Sequence, residues 1–150
     1  LLSSAKTKNE IPAYYKTGKY LSINKWAPGV VHKWFMLKMK WLFGLKGAEN
    51  IRVYEELIRN SNPVFNNWAI SAIITWDNTE VPKEIIHIHG THDKVLPYKY
   101  VKCSHTIKQA GHLMVMEQSG IISQMLKEII TKELSTVSSS ASQPVHQRPM

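Results

Sequence analysis

Apolar residues recur at helical spacing in several stretches of the chain. Between Ala48 and Asn60, Ile51, Tyr54, Leu57 and Ile58 share a face, and Pro63 prevents continuation. Directly after it, Val64, Phe65, Trp68, Ala69, Ala72, Ile73 and Trp76 form a single wide apolar stripe. Towards the C-terminus the pairs Ile121-Ile122, Met125-Leu126 and Ile129-Ile130 follow one another four apart, with Ser119 placed to cap the first turn. A further helix is expected from about Val31 to Phe43, after a turn at Pro28-Gly29. Glu10 to Asn24 shows no clear period. Glu84 to His89 is β-branched and closed by Gly90, which predicts a short strand; Ser104 to Lys108 predicts a weaker one, and Leu1-Leu2 reads as the end of a buried strand.

Helices followed by strand, loop, strand and helix predict an α/β protein, in which ligands sit beyond the carboxyl ends of the strands. The stretch between Pro97 and Ser104 is shorter than a parallel crossover normally needs, so the local path between the two strands is left open. From Ser135 to Met150 the chain is Ser-rich and nearly free of large apolar residues, which predicts a disordered tail.

Composition narrows the class. An apolar content of 43% over 150 residues fits one globular domain with a real core. No apolar run is long enough to span a bilayer, and the start Leu1-Leu2-Ser3-Ser4 has neither an initiator Met nor a basic-then-apolar leader. Cys103, alone, excludes an internal disulfide and a cysteine-based zinc site, and points to a reducing, cytoplasmic setting. The net charge of +8 is concentrated: residues 1 to 50 hold nine Lys against Glu10 and Glu49, whereas the remainder is nearly balanced. The basic character therefore describes one surface. Within it, "VVHKWFMLKMKWLFGLK" combines Lys and Trp, but Lys38 falls among Val31, Trp34 and Leu42, on the face opposite Lys33 and Lys40. A clean membrane-surface helix would not do this. The expected role is a helix whose aromatics, Trp34, Phe35 and Trp41, cover an apolar pocket while the lysines reach outward; membrane contact is a secondary reading, and no nucleic-acid partner is expected.

The chemistry gathers at the strand ends. "HIHGTHD", residues 87 to 93, raises a metal reading through His87 and His89, but its spacing resembles no familiar zinc motif and a metal site wants three or four ligands around one point. Each histidine of the strand is expected to be a hydrogen-bonded core residue. Asp93 lies three residues past the glycine that ends the strand, and His112 follows Ala110-Gly111 after the second strand. An Asp so placed can accept the Nδ1 proton of the imidazole and leave Nε2 free as a general base. A plain loop salt bridge is the other reading of the same pair.

"IIHIHGTHDKVLP" followed by "IKQAGHLMVMEQSGIISQMLKEI" resembles the C-terminal half of the α/β-hydrolase superfamily, and "LLSSAKTKNEIPAYY" looks like the strand that leads into the helical cap of such enzymes. The resemblance implies a partial α/β-hydrolase fold, the last strands of a parallel sheet with an inserted helical cap. It divides the chain into a core strand and exit (1–9), a cap (10–77), a C-terminal α/β core (78–134) and the tail (135–150). It further implies Asp93 as the acid and His112 as the histidine of a Ser-Asp-His triad acting on an ester or related acyl substrate, with no cofactor or metal. The family's G-x-S-x-G nucleophile motif is missing, because no two of the seven glycines are four apart. The chain is accordingly expected to lack the nucleophile half of such an enzyme and to be inactive by itself. A non-catalytic module that binds a membrane or partner through the Trp/Lys helix is the alternative; a metal-dependent hydrolase using His87 and His89 is a minor one.

Overall fold

In a computed structural model, residues 1–20 and 29–141 are described, and the fold is mixed α/β. Its order is α1 (Ala13–Tyr20), α2 (Gly29–Lys38), a 3-10 turn (Lys40–Phe43), α3 (Ala48–Asn60), α4 (Pro63–Ile74), β1 (Ile88–Gly90), a 3-10 turn (Tyr98–Tyr100), β2 (His105–Ile107), α5 (Met114–Glu117) and α6 (Ser119–Ala141). Two units are compact in themselves: Leu1–Glu117, which holds everything up to α5, and Gln118–Met150, which holds α6.

β1 and β2 run parallel in the register Ile88↔His105, His89↔Thr106 and Gly90↔Ile107. On its other side β1 is met by the first residues of the chain: Leu2 bridges Ile88 in parallel, with Ile88 N–H donating to Leu1 O at 2.9 Å and Ser3 N–H to Ile88 O at 3.1 Å. β1 is thus bonded on both sides, and Ile88, His87 and His89 are all at most 1% exposed. The parallel crossover is possible because it begins at Thr91, not Pro97, and so takes in the whole acid loop. The first strand is shorter than Glu84–His89. At His87 the carbonyl still accepts from His105 N–H at 3.0 Å, but the backbone N–H turns to the Ser104 hydroxyl at 2.8 Å.

α3 has the bounds that the spacing predicts. α4 begins at Pro63, where Asn62 Oδ1 accepts from Val64 N–H at 2.8 Å and Phe65 N–H at 3.3 Å; the side chain supplies an acceptor for amides that have no partner within the helix. The expected single helix over Val31–Phe43 is instead α2 followed by a tighter 3-10 turn closed by Gly44 in the left-handed region, φ +77°. α1 lies where no period is visible: Ile11 and Pro12 are buried and lead the chain into it. Of the Pro28-Gly29 turn, Pro28 lies outside the described residues and Gly29 opens α2. In the second unit Ser119 is the first residue of α6 rather than its cap, and the helix runs on to Ala141, into the stretch expected to be a disordered tail; 142–150 lie outside the described residues.

A backbone contact joins the helical half of the first unit to the loop after β2. A Cβ built on Gly111 would lie 2.6 Å from Gly44 Cα and 2.9 Å from Phe43 O, and one on Gly44 would lie 2.7 Å from Gly111 Cα. Leu113 N–H donates to Phe43 O at 3.1 Å across the same seam. Glu117 Oε1 accepts from Lys46 and Gly47 N–H at 2.9 and 3.2 Å, just ahead of α3. Burial pushes the Glu117 carboxyl up, but these two bonds, the Asn50 amide and the nearby Lys46 outweigh it and hold it below its ordinary value. Phe43 stacks on Tyr54, ring centroids 5.2 Å apart. Because the obstacle at Gly111 is backbone, Gly111→Ala should lower the unfolding free energy by about 1–3 kcal/mol, the usual cost of overpacking. Gly44→Ala should cost more, since it adds backbone strain at φ +77°. Urea midpoints of the two variants against the parent measure both effects.

Candidate active site

Asp93 and His112 sit on two loops that are tied to each other. Thr91 N–H donates to Ile107 O at 3.1 Å, His92 N–H to Ala110 O at 2.9 Å, and Gln109 N–H to the Thr91 hydroxyl at 2.9 Å. Gly90 permits this approach: a Cβ there would lie 2.3 Å from Ala110 O. The glycine before His112 works by the same rule. It does not work through unusual backbone angles: among the described glycines only Gly44 has a positive φ, and the left-handed residue of this loop is Gln109, φ +59°. Gly111 is small because Gly44 lies against it.

The loops bring Asp93 Oδ2 to 2.8 Å from His112 Nδ1. The Asp93 side chain is 0% exposed and that of His112 25%. Asp93 Oδ1 accepts from Val95 N–H at 2.9 Å and Leu96 N–H at 2.7 Å, so the carboxylate closes its own turn with one oxygen and faces the imidazole with the other. His89 is a second imidazole on the same oxygen, its Nε2 at 3.5 Å from Oδ2. Among the described residues His112 Nε2 makes no hydrogen bond. Phe43 lies beside the ring at 6.1 Å between centroids.

His112 also lines a cavity of about 500 Å³. Its wall comes from α4 and the segment just beyond it, through Trp68, Ala69, Ala72 and Trp76, together with Tyr15 and Leu96. The Tyr15 hydroxyl is engaged, donating to Val95 O at 2.7 Å, and burial first, then Tyr14 and Asp93, push its pKa up to about 12. It therefore stays protonated. Trp34, Phe35 and Trp41, the expected pocket residues, do not line this cavity; they are 60%, 54% and 55% exposed. Trp41 carries the Lys94 ammonium 4.9 Å above its ring and Trp34 that of Lys38 at 6.0 Å. The signal for the true wall was the wide stripe of α4, which reads as ordinary helix packing until its surroundings are seen. Tyr15 and Phe43 carry no comparable signal in the sequence.

His87 lies behind the site, in a buried polar cluster. Glu10 Oε2 accepts from Lys6 N–H at 2.7 Å and Glu10 Oε1 from Lys102 N–H at 3.0 Å, while Lys6 Nζ stands 3.4 Å from both Glu10 Oε1 and His87 Nδ1. Burial would raise the Glu10 carboxyl, but those backbone bonds and the Lys6 ammonium outweigh it and hold it low. Lys6 Nζ also donates to Lys102 O. Among the described residues no group of three or more His, Cys, Asp or Glu is arranged to hold a metal ion. No described helix is long and apolar enough to cross a membrane.

Comparison of the chain with protein-family models, with curated proteins and with solved structures finds no match.

Burial, and then the Lys6 charge, with smaller contributions from His89 and the N-terminus, hold His87 below the usual imidazole value of 6.5; Glu10 opposes them. A base depressed in the folded state stays neutral there while the unfolded chain takes up a proton, so its stabilisation is complete above 6.5 and is lost as pH falls through the folded value. Replacement by a residue that does not titrate, His87→Gln, should make the loss of stability below pH 6.5 shallower than in the parent, as measured by urea unfolding across the acid range.

Proposed function

We propose that this chain carries the acid and the histidine of a serine-type hydrolase of α/β-hydrolase kind, acting on an ester or related acyl substrate. The observation that carries the reading is the 2.8 Å contact between Asp93 Oδ2 and His112 Nδ1 at the wall of an apolar cavity. The order acid then histidine, each after one of two adjacent parallel strands, supports it further. With Asp93 ionised, its Oδ2 holds the neutral imidazole as the Nδ1–H tautomer and leaves the Nε2 lone pair to take a proton. The serine lies outside this sequence in the proposal.

The serine hydroxyl oxygen attacks the acyl carbonyl while its proton passes to His112 Nε2, and Asp93 stabilises the imidazolium so formed. Collapse of the tetrahedral intermediate breaks the bond to the leaving alcohol, which departs with that proton. Water, deprotonated in turn by His112, then cleaves the acyl-enzyme to the acid and restores the serine. The substrate's apolar part occupies the cavity against α4, where burial of its surface contributes about 25 cal/mol per Å².

In a protein that joins this chain to an upstream segment bearing the serine elbow, His112→Ala should lower kcat on a short-chain aryl ester by at least about 10³-fold, and Asp93→Asn by about 10⁴-fold through the wrong tautomer. Full activity in His112→Ala sinks the reading. Ala72→Phe narrows the cavity from α4 and should raise KM more for long acyl chains than for acetyl, with little change in kcat on acetyl esters.

The exposure of Trp34, Phe35 and Trp41 on the lysine-rich segment favours a second reading, a module that contacts an anionic membrane surface. A blue shift of tryptophan emission on anionic vesicles, unaffected by Asp93→Asn and lost on Trp34→Ala with Trp41→Ala, would select it.

A further inference from the structure

His89 was expected to be one more satisfied core histidine, and two facts about its ring argue for more. Its Nε2 lies 2.9 Å from Leu96 O, and a carbonyl oxygen can only accept, so Nε2 must carry the proton. The same N–H stands 3.5 Å from Asp93 Oδ2, the oxygen that receives His112 Nδ1 at 2.8 Å. His89 Nδ1 is buried and bonded to no described residue, so the bond to Leu96 O is the ring's one hydrogen bond among the described residues, with Asp93 Oδ2 beside the same N–H. The base of the ring cannot drift, because β1 is bonded on both sides and His89 is 0% exposed.

We infer that His89 is a positioning residue for the dyad: its fixed Nε2–H keeps Asp93 Oδ2 turned to His112 and clasps the Asp93–Leu96 turn at the carbonyl of its last residue. The inference rests on the hydrolase reading for its catalytic consequence but not for its geometry. Rotation of the Asp93 carboxylate would exchange Oδ1, which holds two backbone amides, for Oδ2, which faces two imidazoles. Val95 and Leu96 fix the first oxygen and His89 the second, so the carboxylate has one orientation. The titratable groups around the His89 ring are Asp93, His112 through their shared oxygen, and His87, whose ring centroid lies 5.6 Å away. Lys6 and Glu10 lie one step further off, on the His87 side.

The test uses the native chain labelled with ¹⁵N. Replacement His112→Phe should shift the His89 Nε2–H resonance, because the two rings stand on one Asp93 oxygen at 2.8 and 3.5 Å; a histidine bonded to Leu96 alone would not respond. His87→Gln should leave that response in place. In His89→Phe the His112 Nδ1 proton should exchange with water between about twofold and tenfold faster, as the loss of one hydrogen bond implies. His89→Gln, whose carboxamide nitrogen can reach the same place, should restore slow exchange. In the extended enzyme, His89→Phe should lower kcat and leave KM unchanged.

A His89 resonance unmoved by His112→Phe overturns the proposal, as does unchanged exchange at His112 in a folded His89→Phe protein. Failure of the hydrolase reading looks different. The His89 resonance would still respond to His112→Phe through Asp93, while His112→Ala left ester turnover intact.

Discussion

A buried carboxylate must be met by donors or lose its charge, and Asp93, with its side chain wholly enclosed, governs the arrangement around it. Two backbone amides, one fully buried imidazole and one partly exposed imidazole surround its two oxygens. Of these groups only the His112 imidazole comes from the second loop, and it could not reach Asp93 if the two loops stood apart. The loops therefore close on each other at Gly90 and Ala110, and the helical half of the unit closes on the His112 loop at Gly44 and Gly111, with backbone against backbone at both seams. The local stability of the site thus depends on the absence of side chains at three glycines as much as on the presence of the polar ones.

The polar interior is graded in character along β1. At one end His87 sits beside a lysine and is held neutral by its surroundings; at the other, His89 and His112 sit against an acid. The Glu10–Lys6 pair anchors the chain before it enters α1, while Tyr15 on α1 reaches back to the acid loop through Val95 O. The cavity is bounded by that same helix and loop, so its shape and the acid turn are coupled through one hydrogen bond. Its remaining wall, α4, is only loosely covered: none of its residues is fully buried, and small residues at Ala69 and Ala72 open space between Trp68 and Trp76.

Tertiary structure reassigned several local signals. The lysine- and tryptophan-rich segment looked like the wall of a pocket because its aromatics are dense, yet Trp34, Phe35 and Trp41 turn outward; its contribution to the site comes from Phe43 and Gly44, at its far end. A stripe of aromatics reports that a surface is apolar and says nothing of which neighbour will face it. The glycine before His112 is a point of close approach rather than a source of conformational freedom, a distinction that depends wholly on a residue almost seventy positions away in the chain. β1 was read as longer than its ladder, since β-branched residues persist beyond the point where Ser104 replaces a backbone partner.

What the sequence determined by itself is what depends on short spans: the bounds of α3, the apolar stripe of α4 directly after Pro63, the location of two strands, and the placement of Asp93 and His112 just beyond them. Periodicity and turn chemistry act within a few residues and can be read there. What only the tertiary structure decided is which groups meet. The second imidazole on Asp93, the engaged hydroxyl of Tyr15, the cavity against α4 and the Gly44–Gly111 seam all join residues whose proximity is set by parallel pairing and helix packing, and no spacing along the chain encodes a distance of that kind.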